Sequence, residues 1–197
     1  GLDKAFRLPN DVVASLTRTE RSAIMSVLKA RDIRSLRSHE VTVYADIPEG
    51  LTEAQAWESY PNLMRHISPF QEELEARYAY DRNLMYWEWS FKRSLTFFTR
   101  NIAKGFVPCK ERLSSRDIVR FTTAEPHYVA TQDVTAFAPK TTVKESVEYM
   151  VAYLSMPEVT QWIRVHGLMK GEIAEFSERP LGDIPFFALD WDNQEHV

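Results

Sequence analysis

Apolar residues in the first third of the chain recur at three- and four-residue steps, whereas beyond residue 81 they alternate with polar ones. Phe6-Arg7-Leu8 reads as a short strand that Pro9 interrupts. Thr17-x-x-Glu20 has the form of a capping box ahead of Ala23, Ile24, Val27 and Leu28, and predicts a helix running on through 29–34. Val41-Thr42-Val43-Tyr44 predicts a strand ended by Pro48-Glu49-Gly50. Thr52-x-x-Gln55 caps a second helix, and Ser68-Pro69-Phe70-Gln71 opens a third over 70–78.

Past Asp81-Arg82-Asn83 the period falls to two. Tyr86-Trp87-Glu88-Trp89-Ser90-Phe91, Phe106-Val107-Pro108-Cys109, Ile118-Val119-Arg120-Phe121, His127-Tyr128-Val129-Ala130 and Asp133-Val134-Thr135-Ala136-Phe137 predict short strands of an antiparallel or mixed sheet. Thr142-x-x-Glu145 then opens an apolar helix through Val147, Met150, Val151 and Leu154. Pro157 starts another that ends near His166, with Gly167 at the C-cap. The Pro-broken stretch over 176–191 reads as an extended tail. The expectation is an α+β fold, a single domain over 1–197 with a central β region flanked by N-terminal and C-terminal helices.

Composition narrows the class. A chain of 197 residues that is 44% hydrophobic and 26% charged can bury a core, which excludes a disordered chain. Its one cysteine, Cys109, has no internal disulfide partner, so the expected compartment is a reducing cytoplasm. No run approaches the roughly 20 apolar residues of a membrane span, and no signal peptide is evident. The absence of an initiator Met at Gly1 leads us to expect a fragment of a longer protein.

The formal net charge is −4, but the charge is unevenly distributed. Nine Lys/Arg against three acids over 82–120 give +6, while five against twelve over 121–197 give −7. The basic segment points to an anionic partner. A solvated surface neutralised by the acidic segment in three dimensions explains the same counts.

Several chemistries lack their residues. The six glycines are never separated by a single residue, so no dinucleotide or AdoMet loop is present, and there is no P-loop. No two prolines are adjacent, which removes the Asn/Asp-Pro-Pro-Tyr/Phe tetrad of amino-methyltransferases. None of the eight lysines has an acid two residues before it, so the Asp/Glu-x-Lys nuclease arrangement is missing. Cys109 and five scattered histidines do not make a zinc site. Gly167-x-x-x-Gly171 reads as a turn, Glu125-Pro126-His127 as a structural histidine beside a strand, and Glu172 with Glu175 as solvated acids. No catalytic or metal-binding residue is assigned.

The order of segments carries a resemblance. Leu28-Lys29-Ala30-Arg31-Asp32-Ile33-Arg34 resembles the Leu-Lys-Gly-Arg-Asp-Ile signature opening the specificity domain of TaqI-like type II adenine methyltransferases. Tyr60-Pro61-Asn62-Leu63 through Phe70, Leu74 and Arg77 is similar to that family's helical segment ending in Leu-x-x-Arg, and Trp87-x-Trp89 to its tryptophan strand. Lys104-Gly105-Phe106-Val107-Pro108 resembles its Pro-Lys-Ile-Val-Val-Pro strand, with Lys-Gly in place of Pro-Lys. Met150-Val151-Ala152-Tyr153-Leu154-Ser155-Met156-Pro157 is similar to its Leu-Leu-Ala-Leu-Leu-Asn-Ser helix, with Ser-Met in place of Asn-Ser. Phe176-Ser177, Leu181 and Ile184-Pro185 match its closing pattern.

The resemblance implies an α+β target-recognition domain of a type II, or type IIG, restriction-modification adenine-N6 DNA methyltransferase. Its expected partners are duplex DNA and an N-terminal AdoMet-binding catalytic domain of the same polypeptide; AdoMet belongs to that parent enzyme, with no cofactor in this chain. The candidate DNA-binding residues are Arg31, Arg34, Arg37, Lys92, Arg93, Arg100, Lys104, Lys110, Arg112 and Arg116, as base readers or phosphate clamps. The basic residues over 82–120 are expected on one face with the acidic tail elsewhere. Trp87, Trp89, Phe97 and Phe98 are expected in the core rather than stacked on bases. Three alternatives remain: a type I specificity-subunit domain, disfavoured by the Pro-broken segment after Gly167; a non-catalytic protein-interaction module; and an enzyme with an unfamiliar site, which no constellation of residues supports.

Overall fold

The computed structural model describes residues 3–36, 38–39, 41–79, 82–90, 92 and 94–193. It is a mixed α+β fold of small sheets and several helices, in which the chain divides into two compact units. The first comprises Gly1–Val27 and Thr42–Phe97, the second Leu28–Val41 and Phe98–Val197.

In the first unit the Thr17–Glu20 box forms as expected: Thr17 N–H donates to Glu20 Oε2 at 2.9 Å and Glu20 N–H to Thr17 Oγ1 at 3.2 Å. The helix predicted behind it does not form. A single 3₁₀ turn, Glu20–Ser22, gives way to the strand Ile24–Leu28, whose Ile24–Val27 pair antiparallel with Thr42–Ala45. Ala23-Ile24-Met25-Ser26-Val27-Leu28 fits either period, and the hydrogen-bonded partner strand decides in favour of the extended one.

Glu20 also explains the Pro61–Ile67 helix. Its buried carboxylate accepts Asn62 N–H at 2.6 Å, Leu63 N–H at 3.2 Å and the Asn62 side-chain amide at 2.8 Å, satisfying donors at a helix N-terminus. Burial would raise its pKa. The N–H donors of Thr17, Asn62 and Leu63 and the Asn62 amide outweigh that and hold it below the ordinary value.

The capping box at Thr52 starts the helix Glu53–Ser59 as expected, and the segment after Ser68 forms a 3₁₀ turn followed by Gln71–Glu75. The alternating Tyr86-to-Ser90 stretch is not a strand. Arg77 draws the carbonyls of Met85 (3.0 Å), Tyr86 (3.1 Å) and Glu88 around its guanidinium, and Glu88 accepts Gly50 N–H and Met85 N–H. Trp87 is buried, and Trp89 stacks on Phe6 at 4.5 Å while its Nε1–H donates to Ala45 O.

The second unit holds an antiparallel sheet in which Lys104–Pro108 lies between Thr122–Ala124 and Val134–Phe137. A second sheet runs Met169–Lys170, Ile173–Glu175, Lys110–Arg112, also antiparallel. The strand expected at 118–121 forms instead at Thr122–Ala124. Val107, Val119, Phe121, Val151, Leu154, Ile163 and Phe176 are the centre of the core, with Phe121 set edge-on to Phe176 at 5.8 Å.

The helices Val147–Leu154 and Pro157–His166 pack on it. Ser146, not Thr142, caps the first of these. Gly167 does end the second, at φ −72°. Its need for glycine is steric, because a Cβ there would lie 2.6 Å from Ile163 O. Gly171 turns the hairpin Met169–Lys170 to Ile173–Glu175, so the 167–171 pair spans a turn as expected. The 176–191 segment contains one short helix, Glu178–Gly182.

Candidate functional site

In the second unit the candidate cations fall into groups that differ in how firmly each is held. At the centre of one is Glu111, 2% exposed, on the strand Lys110–Arg112. Arg120 grips it with two parallel bonds, Nε to Oε1 at 2.9 Å and Nη2 to Oε2 at 2.6 Å. Such a fork-on-fork pair fixes both partners in plane, which a lysine could not do. The remaining Nη1 of Arg120 donates to Ala30 O at 3.2 Å and Ile33 O at 2.7 Å, clasping the turn that carries Arg31 and leads into the strand bearing Arg34. Arg116 joins the same carboxylate through Nε, 2.5 Å from Oε1.

The turn is tied from its other side as well. Ala30 N–H donates to Asp133 Oδ2 at 3.3 Å, and Thr131 N–H and Oγ1 both donate to Leu28 O. Arg31 Nε lies 3.4 Å from Oδ1 of Asp32, itself 6% exposed. Across the loop, Arg164 Nη2 donates to the carbonyls of Leu113 (3.1 Å) and Arg116 (2.6 Å).

Lys110 and Arg112 form a different arrangement. They project from a strand whose neighbour, Ile173–Glu175, follows the hairpin residue Glu172. Lys110 Nζ is 3.6 Å from Glu175 and Arg112 Nη1 is 3.0 Å from Glu172. Lys170 also pairs with Glu175 at 3.0 Å. Its hydrogen bond, with the Lys110 charge added, holds the Glu175 carboxyl below its ordinary value. Two residues of the acidic segment therefore lie beside two of the basic one. Glu172 and Glu175 face Arg112 and Lys110 across the strands; Glu172 is solvated as expected, while Glu175, its side chain 16% exposed, is not.

Lys104 does not belong on a contact surface. It is fully buried, and its ammonium donates to the carbonyls of Arg100 (2.8 Å), Ile102 (3.1 Å) and Pro126 (2.6 Å). Burial, with the Arg100 charge adding, lowers its pKa from the ordinary lysine value. Pro126 of the Glu125-Pro126-His127 triplet thus serves Lys104, and His127 lies exposed against Tyr128.

Arg100 and Arg34 are exposed. In the first unit, Lys92 is ion-paired with Asp46 at 2.6 Å. Arg37 and Arg93 lie outside the described residues. Phe98 is buried and Phe97 half-buried.

Sequence counting marked Arg120 only as part of the basic window, and gave Thr131, Asp133 and Arg164 no role in the site. Their roles are long-range contacts to backbone, and nothing in their local sequence announces them. Among the described residues no group of three His, Cys, Asp or Glu could hold a metal ion, and no helix is long and apolar enough to cross a membrane.

Comparison with known proteins gives this arrangement its context. The chain is 38% identical over 191 residues to the type II methyltransferase M.HindII of Haemophilus influenzae, covering 97% of this chain and 36% of that protein. Its relatives are type II methyltransferases. M.HincII of Haemophilus influenzae is 38% identical over 190 residues, with 96% and 37% covered. M.MjaIV of Methanocaldococcus jannaschii is 23% identical over 193 residues, with 95% and 63% covered. The chain thus spans little more than a third of the first two relatives, and it matches no protein-family model. Its fold is shared with the solved structure of the type IIL restriction-modification enzyme MmeI in complex with DNA, at a TM-score of 0.58 and 9% identity over 89% of this chain and 22% of that one.

Proposed function

We propose that this chain, over 1–197, is the target-recognition domain of a type II restriction-modification adenine-N6 DNA methyltransferase. One observation carries the reading: the chain matches type II methyltransferases over nearly its whole length, yet contains no AdoMet glycine loop and no Pro-Pro tetrad. The relatives' greater length leaves room for a catalytic domain in the same polypeptide, which would hold AdoMet and the extruded adenine. The glycine spacing of this chain does not fit AdoMet, so no step of methyl transfer is assigned to it. Its part would be to grip the duplex, with Lys and Arg on phosphates setting register and a few side chains reading base edges. Among the candidates, Arg31, Arg34, Arg100, Lys110, Arg112 and Arg116 are exposed, and Lys104 leaves the set.

The polypeptide expressed from its native reading frame should methylate adenine in one duplex sequence and bind that sequence selectively. The chain of 197 residues by itself should show no saturable AdoMet binding in calorimetry. Micromolar AdoMet binding by this chain, or modification of a base other than adenine, would contradict the reading.

A further inference from the structure

We infer that Arg31 and Arg116 are the base-reading arginines of this chain, aimed at guanine edges, and that Arg120 is the positioning residue that sets them on one surface. The inference rests on the DNA-recognition reading above and says which cations read sequence rather than hold phosphate.

Two kinds of exposed arginine are present. The Arg31 side chain is 58% exposed, but the side chain of its partner Asp32 only 8%; for the side chains of Arg116 and Glu111 the figures are 42% and 1%. Each guanidinium therefore projects to solvent from a buried anchor. Arg112 is the contrast, 61% exposed and hydrogen-bonded at 3.0 Å to Glu172, itself 60% exposed, so its partner is solvated rather than buried. Reading a guanine O6 and N7 demands a planar fork held in a set orientation, whereas a phosphate accepts a cation from many directions. Ordering a long side chain before binding also removes an entropy cost from the encounter. By that criterion Arg31 and Arg116 are built to read and Arg112 is not.

The two readers are also tied to each other. Arg116 Nε and Arg120 Nε share one oxygen, Oε1 of Glu111, and Arg120 Nη1 continues to the carbonyls flanking Arg31. The Arg116 backbone is fixed independently by Arg164. Buried ion pairs of this kind contribute little net stability against apolar replacements, which leaves geometric definition as their use here. Lysine at 120 keeps the charge but cannot bind both carboxylate oxygens and both carbonyls.

The test uses the polypeptide from its native reading frame with cognate and singly changed duplexes. Arg31→Ala and Arg116→Ala should each lower cognate affinity about 5- to 150-fold and relax discrimination at one position. Arg112→Ala should weaken all duplexes alike. Arg120→Lys should lose cognate affinity, and adding it to Arg31→Ala should cost less than the sum of the two changes, because one acts through the other. Asp133→Asn, exposed and hydrogen-bonded to the same turn, takes over the positioning test if Arg120→Lys melts early. Uniform losses across all duplexes for Arg31→Ala and Arg116→Ala, or no loss, overturn the inference. An unsubstituted protein that prefers no duplex overturns the DNA-recognition reading instead.

Discussion

Phe137 lies directly across the sheet register from Gly105, its ring so close that a Cβ on Gly105 would meet Phe137 Cζ at 2.3 Å. The glycine is thus the floor on which an aromatic ring rests, and the ring in turn meets Phe121 edge-on at 6.2 Å. The Lys-Gly that departs from the Pro-Lys of the resembled strand has a physical account: Lys104 is buried to cap three carbonyls, and Gly105 clears space for Phe137.

Gly105→Ala should therefore destabilise the second unit by about 1–3 kcal/mol, the usual cost of forcing atoms into a filled core. Urea unfolding should show a lower midpoint at unchanged slope. Pairing it with Phe137→Leu should cost less than the sum of the two changes, since the smaller side chain gives the new methyl room. Strict additivity would mean the clash is relieved elsewhere.

Glu20 makes the first unit sensitive to acid. Its folded pKa lies below the ordinary carboxylate value, so the folded state favours the charged form. The resulting stabilisation is complete above the unfolded pKa and is lost as pH falls through the folded one. Glu20→Gln should cost about 1.5–3 kcal/mol at neutral pH, because charged hydrogen bonds to Thr17, Asn62 and Leu63 are weakened. The gap between wild type and variant should narrow as the pH is lowered past about 4.5. A gap independent of pH would show that Glu20 acts through packing alone.

Lys104 separates charge from contact. Lys104→Met should lower stability by about 1–3 kcal/mol, because the carbonyls of Arg100, Ile102 and Pro126 lose their donor. Duplex affinity and its salt dependence should stay at wild-type values at temperatures where the variant is folded. A flatter salt slope would put the ammonium within reach of a phosphate, against its burial.

Local signals were legible where the residues that decide an element lie within it. Thr52-x-x-Gln55 forms a full capping box, and Pro157 and Gly167 bound a helix. The sequence misled where distant atoms decide. The Ile24–Leu28 run became a strand because Thr42–Ala45 pairs with it, and the stretch from Tyr86 to Ser90 lost its expected extension to the Arg77 guanidinium. Thr142-x-x-Glu145 failed as a box because Glu145 accepts Leu189 N–H, and Ser146 caps the helix instead. The same limit governs the site. Charge counting over 82–120 could not distinguish Lys104, buried among carbonyls, from Arg116, leashed at the surface.

Glu172 and Glu175 offer a measure of whether the Lys110–Arg112 strand faces DNA. Glu172 pairs with Arg112 at exposed positions, where such pairs contribute only about 0–1 kcal/mol, and glutamine at the half-buried Glu175 keeps its shape and can still accept a hydrogen bond, so the fold should stay intact. The acids' electrostatic effect on an approaching phosphate is larger, since each neutralises a cation that would otherwise release a counterion on binding. In the polypeptide from its native reading frame, Glu172→Gln with Glu175→Gln should strengthen binding to cognate and unrelated duplexes alike. The salt dependence should steepen by roughly one unit per freed cation. Discrimination between sequences should stay unchanged, because the gain is indifferent to bases. Unchanged affinity and slope would remove Lys110 and Arg112 from the interface and leave the turn bearing Arg31, together with Arg116, as the contact that remains.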